Sequence, residues 1–130
     1  MPFTLINPES LGRPSGYSHG LLADAGGKLL FISGQIAIDP ATGNIKTTDD
    51  IIAETHQVMH NLRAILSAAS MDFGHVVKTT ILLSDIGHFG HVNEVYGKYF
   101  TGDFPARETY AVKSLPKNVN VEISMVAFLH

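Results

Sequence analysis

The sequence predicts an α+β fold with one mixed sheet and both helices on the same face of it. Two stretches repeat apolar residues at three- and four-residue spacing, the mark of an amphipathic helix. Short β-branched runs bounded by Gly, Pro, Asn and Asp surround them. The order is strands first, then strand, helix, strand, helix, strand and a closing strand, and right-handed crossovers put both helices on one side.

Each element has its own signal. The opening, from Phe3 to Ser18, gives an edge strand and then an irregular loop rich in Gly and Pro. Gly20 to Ala23 and Lys28 to Ser33 flank Asp24-Ala25-Gly26-Gly27, a hairpin whose glycines accept positive φ. Gln35 to Ile38 runs into the turn residues Asp39 to Asn44. From Asp49 the apolar residues Ile52, Thr55, Val58, Met59, Leu62, Ile65, Leu66 and Ala69 set a helical period, and Thr48, Asp49 and Asp50 supply its cap. Val76 to Leu83 is a strand, with Lys78 and Thr80 expected on one side together with Val76 and Leu82. A second helix is expected from about Asp85 to Phe100, with Ile86, Phe89, Val92, Tyr96 and Tyr99 near one face. Phe104-Pro105 breaks the chain before Glu108 to Val112, and Leu115 to Asn118 turns into a last strand, Val119 to Phe128. There Val121, Ile123, Met125 and Ala127 take one face, while Glu122 and Ser124 share the other with Val126 and Phe128. A face half apolar and half polar invites cover by another subunit.

Composition bounds the function. A length of 130 residues fits a single domain, 1–130, with a real core. The absence of Cys removes disulfide scaffolds, thiolate metal sites and cysteine nucleophiles together. A formal net charge of −3 gives no electrostatic reason to expect a nucleic-acid partner. No run approaches a membrane span, and Met-Pro-Phe-Thr lacks the features of a signal peptide, so a cytoplasmic protein is expected.

Among the polar residues, His56 and His60 stand four apart on the first helix, but without a Glu between them the spacing is poor support for a metal. His88 and His91 have the same weakness, and no glycine loop has the spacing of a phosphate cradle. Arginine is more informative because there are three, Arg13, Arg63 and Arg107. Arg63 falls on the polar, solvated side of its helix. Arg107 follows Phe104-Pro105-Ala106 at the mouth of a strand, where it can form a surface ion pair or grip a carboxylate with its planar fork. Glu122, in the middle of an apolar-rich strand, is either a solvated or ion-paired carboxylate or, on a covered face, an acid/base group with a shifted pKa.

These segments together resemble one family. Ile32-Ser33-Gly34-Gln35-Ile36, Asp39-Pro40-Ala41-Thr42-Gly43, Val76-Val77-Lys78-Thr79-Thr80, Val92-Asn93-Glu94-Val95-Tyr96, Phe104-Pro105-Ala106-Arg107 and Val121-Glu122-Ile123 stand in the order and spacing of the RidA (YjgF) family of reactive enamine/imine deaminases. The resemblance runs from about Tyr17 to Ala127 and implies a chorismate-mutase-like fold assembling as a homotrimer, with sites in the clefts between subunits. It implies that Arg107 grips the carboxylate of a small 2-imino or 2-enamino acid and that Glu122 places or activates water. It further implies that Tyr17 closes the site, that Ser33 and Gly34 line it, that backbone around Thr109 meets the ligand, and that Asn93 supports the neighbouring helix. No metal or organic cofactor is required for such chemistry. The chain departs from the family in three places: Ser15-Gly16 precede Tyr17 where many relatives have Gly-Pro, Thr109 replaces a Cys common in bacterial relatives, and Ser124 replaces a frequent Glu. The implied function is hydrolysis of 2-enamino and 2-imino acids, such as 2-aminoacrylate, to 2-oxo acids and ammonia. The competing reading is a non-catalytic trimer that binds a 2-oxo acid or acts like a chaperone.

Overall fold

A computed structural model of the chain describes residues 3–14, 17–46 and 48–130. Six strands form one sheet: β1 (Phe3–Ile6), β2 (Gly20–Asp24), β3 (Lys28–Gln35), β4 (Val76–Leu83), β5 (Ala106–Ala111) and β6 (Val121–Leu129), in the order β1-β2-β3-β6-β4-β5. Every neighbouring pair is antiparallel except β4 with β5. Helices α1 (Ile51–Ala68) and α2 (Phe89–Gly97) supply the crossovers into β4 and β5. The expected mixed sheet with two helices is present.

Local chemistry sets the boundaries. Gly26, at φ 78°, turns β2 into β3 in a conformation that a side chain would resist. Asp50 starts α1 by accepting hydrogen bonds from the backbone N–H groups of Ile52 and Ala53. One apolar stripe of α1, including Val58, Leu62, Ile65 and Leu66, packs on alternate residues of the central strands, among them Leu30, Ile81, Ile123 and Met125. Each such buried Leu or Ile is worth roughly 1.5–3 kcal/mol of apolar transfer.

An uncommon tie joins α1 to the start of β6. Glu54 is fully buried, and its carboxylate accepts hydrogen bonds from the backbone N–H of Asn120 at 2.7 Å and of Val121 at 3.1 Å. The Asn120 side chain donates to the same carboxylate at 3.0 Å. A buried anion is tolerable here because three donors replace its water.

Two expectations are corrected. The register between β4 and β6 shifts between Val76 and Lys78, so Val77 is an extra residue that returns Val76 to the core face. Lys78, Thr80 and Leu82 pair with Val126, Ser124 and Glu122 on the opposite face, and Val76 is not among them. The second helix is also shorter than its apolar pattern implied. Ile86–His88 is a separate 3-10 turn, and Val92, Val95 and Tyr96 form the buried face while Ile86 and Phe89 are exposed.

The sheet face away from the helices is mixed, as alternation predicted. Phe31 is 43% exposed and Tyr110 53% exposed on it, beside Ser124 and an ion pair between Lys78 Nζ and Glu108 Oε1 at 2.6 Å.

Candidate functional site

Glu122 is the second residue of β6 and lies on this open face, nearer the start of the strand than the sequence pattern implied, in a cleft of 670 Å³ bordered by the Gly12 loop, Tyr17, the end of β3 and the turn at Lys117. Burial holds its carboxyl above the ordinary value of 4.5. Among the described residues no cation pairs with it. The adjoining β3 makes room for it: a Cβ built on Gly34 would lie 2.0 Å from Glu122 Oε2. Register between β3 and β6 shifts between Ile32 and Gln35, so the carboxylate lies against bare backbone where the ladder opens.

The wall opposite is built from β3 and the approach to β2. Ser33 Oγ donates to the Ser18 carbonyl, and Ser33 N–H donates to the His19 carbonyl at 2.8 Å. His19 is 5% exposed, and its backbone N–H donates to Asn7 Oδ1 at 2.8 Å. Its ring lies between Gly12 O, 3.4 Å from Nε2, and Gln35 Nε2, 3.5 Å from Nδ1. A neutral imidazole with its proton on Nε2 serves both, donating to Gly12 and accepting from Gln35. Burial lowers the His19 pKa from 6.5, against a smaller upward pull from Gly12 O. Tyr17 lies edge-on to this ring, with centroids 5.6 Å apart, and is 49% exposed at the mouth of the cleft.

Arg107 sits elsewhere, in a 440 Å³ hollow bordered by Asn93, Tyr96, Phe104 and Pro105. Its Nη1 donates to Asn93 Oδ1 at 2.6 Å, and the guanidinium carbon lies 5.2 Å from the Tyr96 ring centroid and 5.7 Å from that of Phe89. Tyr96 is itself fixed, its hydroxyl donating to Thr79 Oγ1 at 3.0 Å. Burial raises the Tyr96 pKa, against smaller downward effects from the Thr79 hydrogen bond and the Arg107 charge. The guanidinium is therefore oriented by an amide and aromatic faces, and forms no ion pair among the described residues. Thr109 lies on the same face of β5, opposite Ile81, with its hydroxyl buried and unbonded among the described residues.

The residues singled out from the sequence thus fall into two groups. Glu122, Tyr17, Ser33 and Gly34 share one cleft, and Arg107, Asn93 and Thr109 gather at α2 and β5. Arg107 pairs with Thr79 and Glu122 with Leu82, so they stand on opposite faces of the sheet with β4 between them. Ladder geometry separates their backbones by about 10 Å along the strands and about 10 Å across. Within one chain they do not form one site. Ser15 and Gly16, where the Tyr17 loop departs from the family, lie outside the described residues.

Several neighbours were not marked by spacing. Arg13 and Lys117 border the Glu122 cleft. An arginine in a Gly/Pro loop is a weak signal for the first, and only folding brings the second alongside. Arg63 is exposed, as expected, and its guanidinium carbon also lies 5.0 Å from the Tyr99 ring centroid and 5.5 Å from that of Phe73. His56 Nδ1 is 2.7 Å from the Tyr99 hydroxyl, and no group of three or more His, Asp or Glu side chains among the described residues is arranged to hold a metal. No helix among the described residues is long and apolar enough to cross a membrane.

Comparison with known proteins identifies the family. Residues 9–129 match the family model described as Endoribonuclease L-PSP. The chain is 48% identical to Protein DfrA of Myxococcus xanthus, over 92% of this chain and 88% of that one. It is 43% identical to a 2-iminobutanoate/2-iminopropanoate deaminase of Rattus norvegicus, over 92% and 82% of the two chains. A solved structure of YyfA from Yersinia pestis, described as a protein of unknown function of the conserved Rid family, superposes with a TM-score of 0.90 at 37% identity, covering 98% of this chain and 99% of that one. With the family model spanning residues 9–129 and relatives 43–48% identical over 92% of this chain, the chain belongs to the Endoribonuclease L-PSP family, also called the YjgF/RidA family.

Proposed function

We propose that residues 1–130 act as one RidA-like domain that hydrolyses reactive 2-imino and 2-enamino acids to 2-oxo acids and ammonia, in sites shared between subunits of a homotrimer. One observation carries the reading: an oriented guanidinium and a half-buried carboxylate, neither ion-paired among the described residues, lie on opposite faces of one sheet. Each group lacks what the other offers. A second copy laid against the open face can bring its Arg107 to this chain's Glu122, and would also cover Phe31 and Tyr110. The name of the rat relative supports the same substrate class.

In this reading the chemistry is modest. Arg107 takes the substrate carboxylate through paired charge-assisted hydrogen bonds, which a lysine cannot copy. Glu122, its basicity raised by burial, accepts a proton from water as the oxygen adds to C2 of the imine. That proton passes to nitrogen to give a carbinolamine; the hydroxyl proton then follows to nitrogen as the C2–N bond breaks and the C2–O double bond forms, so that ammonia leaves with a 2-oxo acid. Tyr17, at the mouth of the cleft, limits the entry of further water. The mechanism draws on no metal or organic cofactor.

Freshly generated 2-aminoacrylate tests this by the rate of pyruvate release. Acceleration over the spontaneous reaction, lost in Arg107→Lys and in Glu122→Gln, is the expected result. Tight binding of 2-oxobutyrate without acceleration would replace the enzyme by the binding protein of the competing reading.

A further inference from the structure

Two cations in the Glu122 cleft take no part in the mechanism above. Arg13, on the loop after Gly12, and Lys117, in the turn before β6, both border the cleft, and neither forms an ion pair among the described residues. Lys117 is held there by its backbone, in a left-handed conformation at φ 55° within the Pro116–Asn118 turn. Glu122 is the sole carboxylate among the residues that line the cleft, and the shift of its pKa comes from burial, with no cation contributing. Both positive charges are therefore available to a ligand.

We infer that Arg13 and Lys117 bind a second carboxylate, so that the substrate class extends to 2-imino dicarboxylic acids, the imines left when acidic amino acids are oxidised. The inference rests on the deaminase reading. With one carboxylate held by Arg107 and C2 beside Glu122, the side chain of such a substrate extends into the same cleft, where two cations meet its far end. The step is the same hydrolysis: water adds at C2, the C2–N bond breaks, ammonia leaves and the distal carboxylate is unchanged. No oxidant or reductant takes part, and the supplying reaction is oxidation of an acidic amino acid at its amine carbon.

The test compares 2-iminoglutarate with 2-iminopropanoate, each made in place by an amino-acid oxidase, on the parent, Arg13→Gln and Lys117→Gln. Both positions are exposed, so neutral replacements of similar length should fold. The expected result is that the ratio of kcat/KM for the dicarboxylate over the monocarboxylate falls about tenfold in each variant, as loss of one charge-assisted contact implies. An unchanged ratio in both variants overturns the inference. Calorimetric binding of 2-oxoglutarate and 2-oxobutyrate reads the same cations without turnover. If no imine is hydrolysed, the deaminase reading fails; the second anion site then stands if the variants weaken 2-oxoglutarate selectively, and falls if they do not.

Discussion

At the scale of single residues, Gly34 and Glu122 form a unit. A methyl at Gly34 would occupy the position of the Glu122 carboxylate oxygen, and because that oxygen ends a flexible side chain, the carboxylate would move while the fold held. Gly34→Ala should therefore keep an unchanged melting temperature within a few degrees and lose about 10²-fold in kcat, the scale of a misplaced acid/base group. The raised Glu122 pKa makes a second prediction. The ionised form is the base, so activity should fall with acid along a limb that burial pushes up and the Arg107 of a second copy pulls down, and that limb should vanish from the residual rate of Glu122→Gln. His19 acts on stability with the opposite sign of shift. Its folded pKa lies below 6.5, so in the window beneath that value the unfolded chain takes up a proton that the folded chain refuses. Stability present above pH 6.5 is lost as pH falls through that window, and His19→Gln should flatten the change in melting temperature between pH 7 and about pH 5.

At the scale of elements, the tie between α1 and β6 fixes the strand that carries Glu122. Glu54 satisfies the backbone N–H groups of Asn120 and Val121, immediately before it. Glu54→Gln replaces one acceptor oxygen by a donor and should cost about 1–3 kcal/mol in urea unfolding. The sequence made this helix legible through its apolar period, and the alternation of Val121 to Phe128 put Glu122 on the correct face before any coordinates. The same rules could not expose the tie, since Glu54 and Asn120 meet only after folding. Nor could they place Val76: the bulge at Val77 slips the two-residue period by one, and nothing in a Val-Val pair marks which is extra. Ile86 and Phe89 fit the helical period yet stay exposed, because Ile86 belongs to a separate 3-10 turn and Phe89 is the first residue of α2, ahead of its buried face. Arg107 was legible as a clamp or an ion pair. Its setting between Asn93 and two aromatic rings required α2 and β5 to be packed together.

At the scale of the whole molecule, the proposed assembly follows from what a single sheet cannot do. Two residues on opposite faces, with a strand between them, cannot share a small substrate, whereas copies stacked around an axis can offer one face's Arg107 to the next copy's Glu122. The central claim is that each site takes one residue from each of two subunits, and mixing inactive variants tests it most directly. Arg107→Ala and Glu122→Ala should each be inactive alone. Dissociated together in equal amounts and reassembled, they should regain about a quarter of the parental rate, because random pairing joins an intact Arg107 with an intact Glu122 at that frequency. A mixture that reassembles fully and stays as inactive as its components would contradict the account.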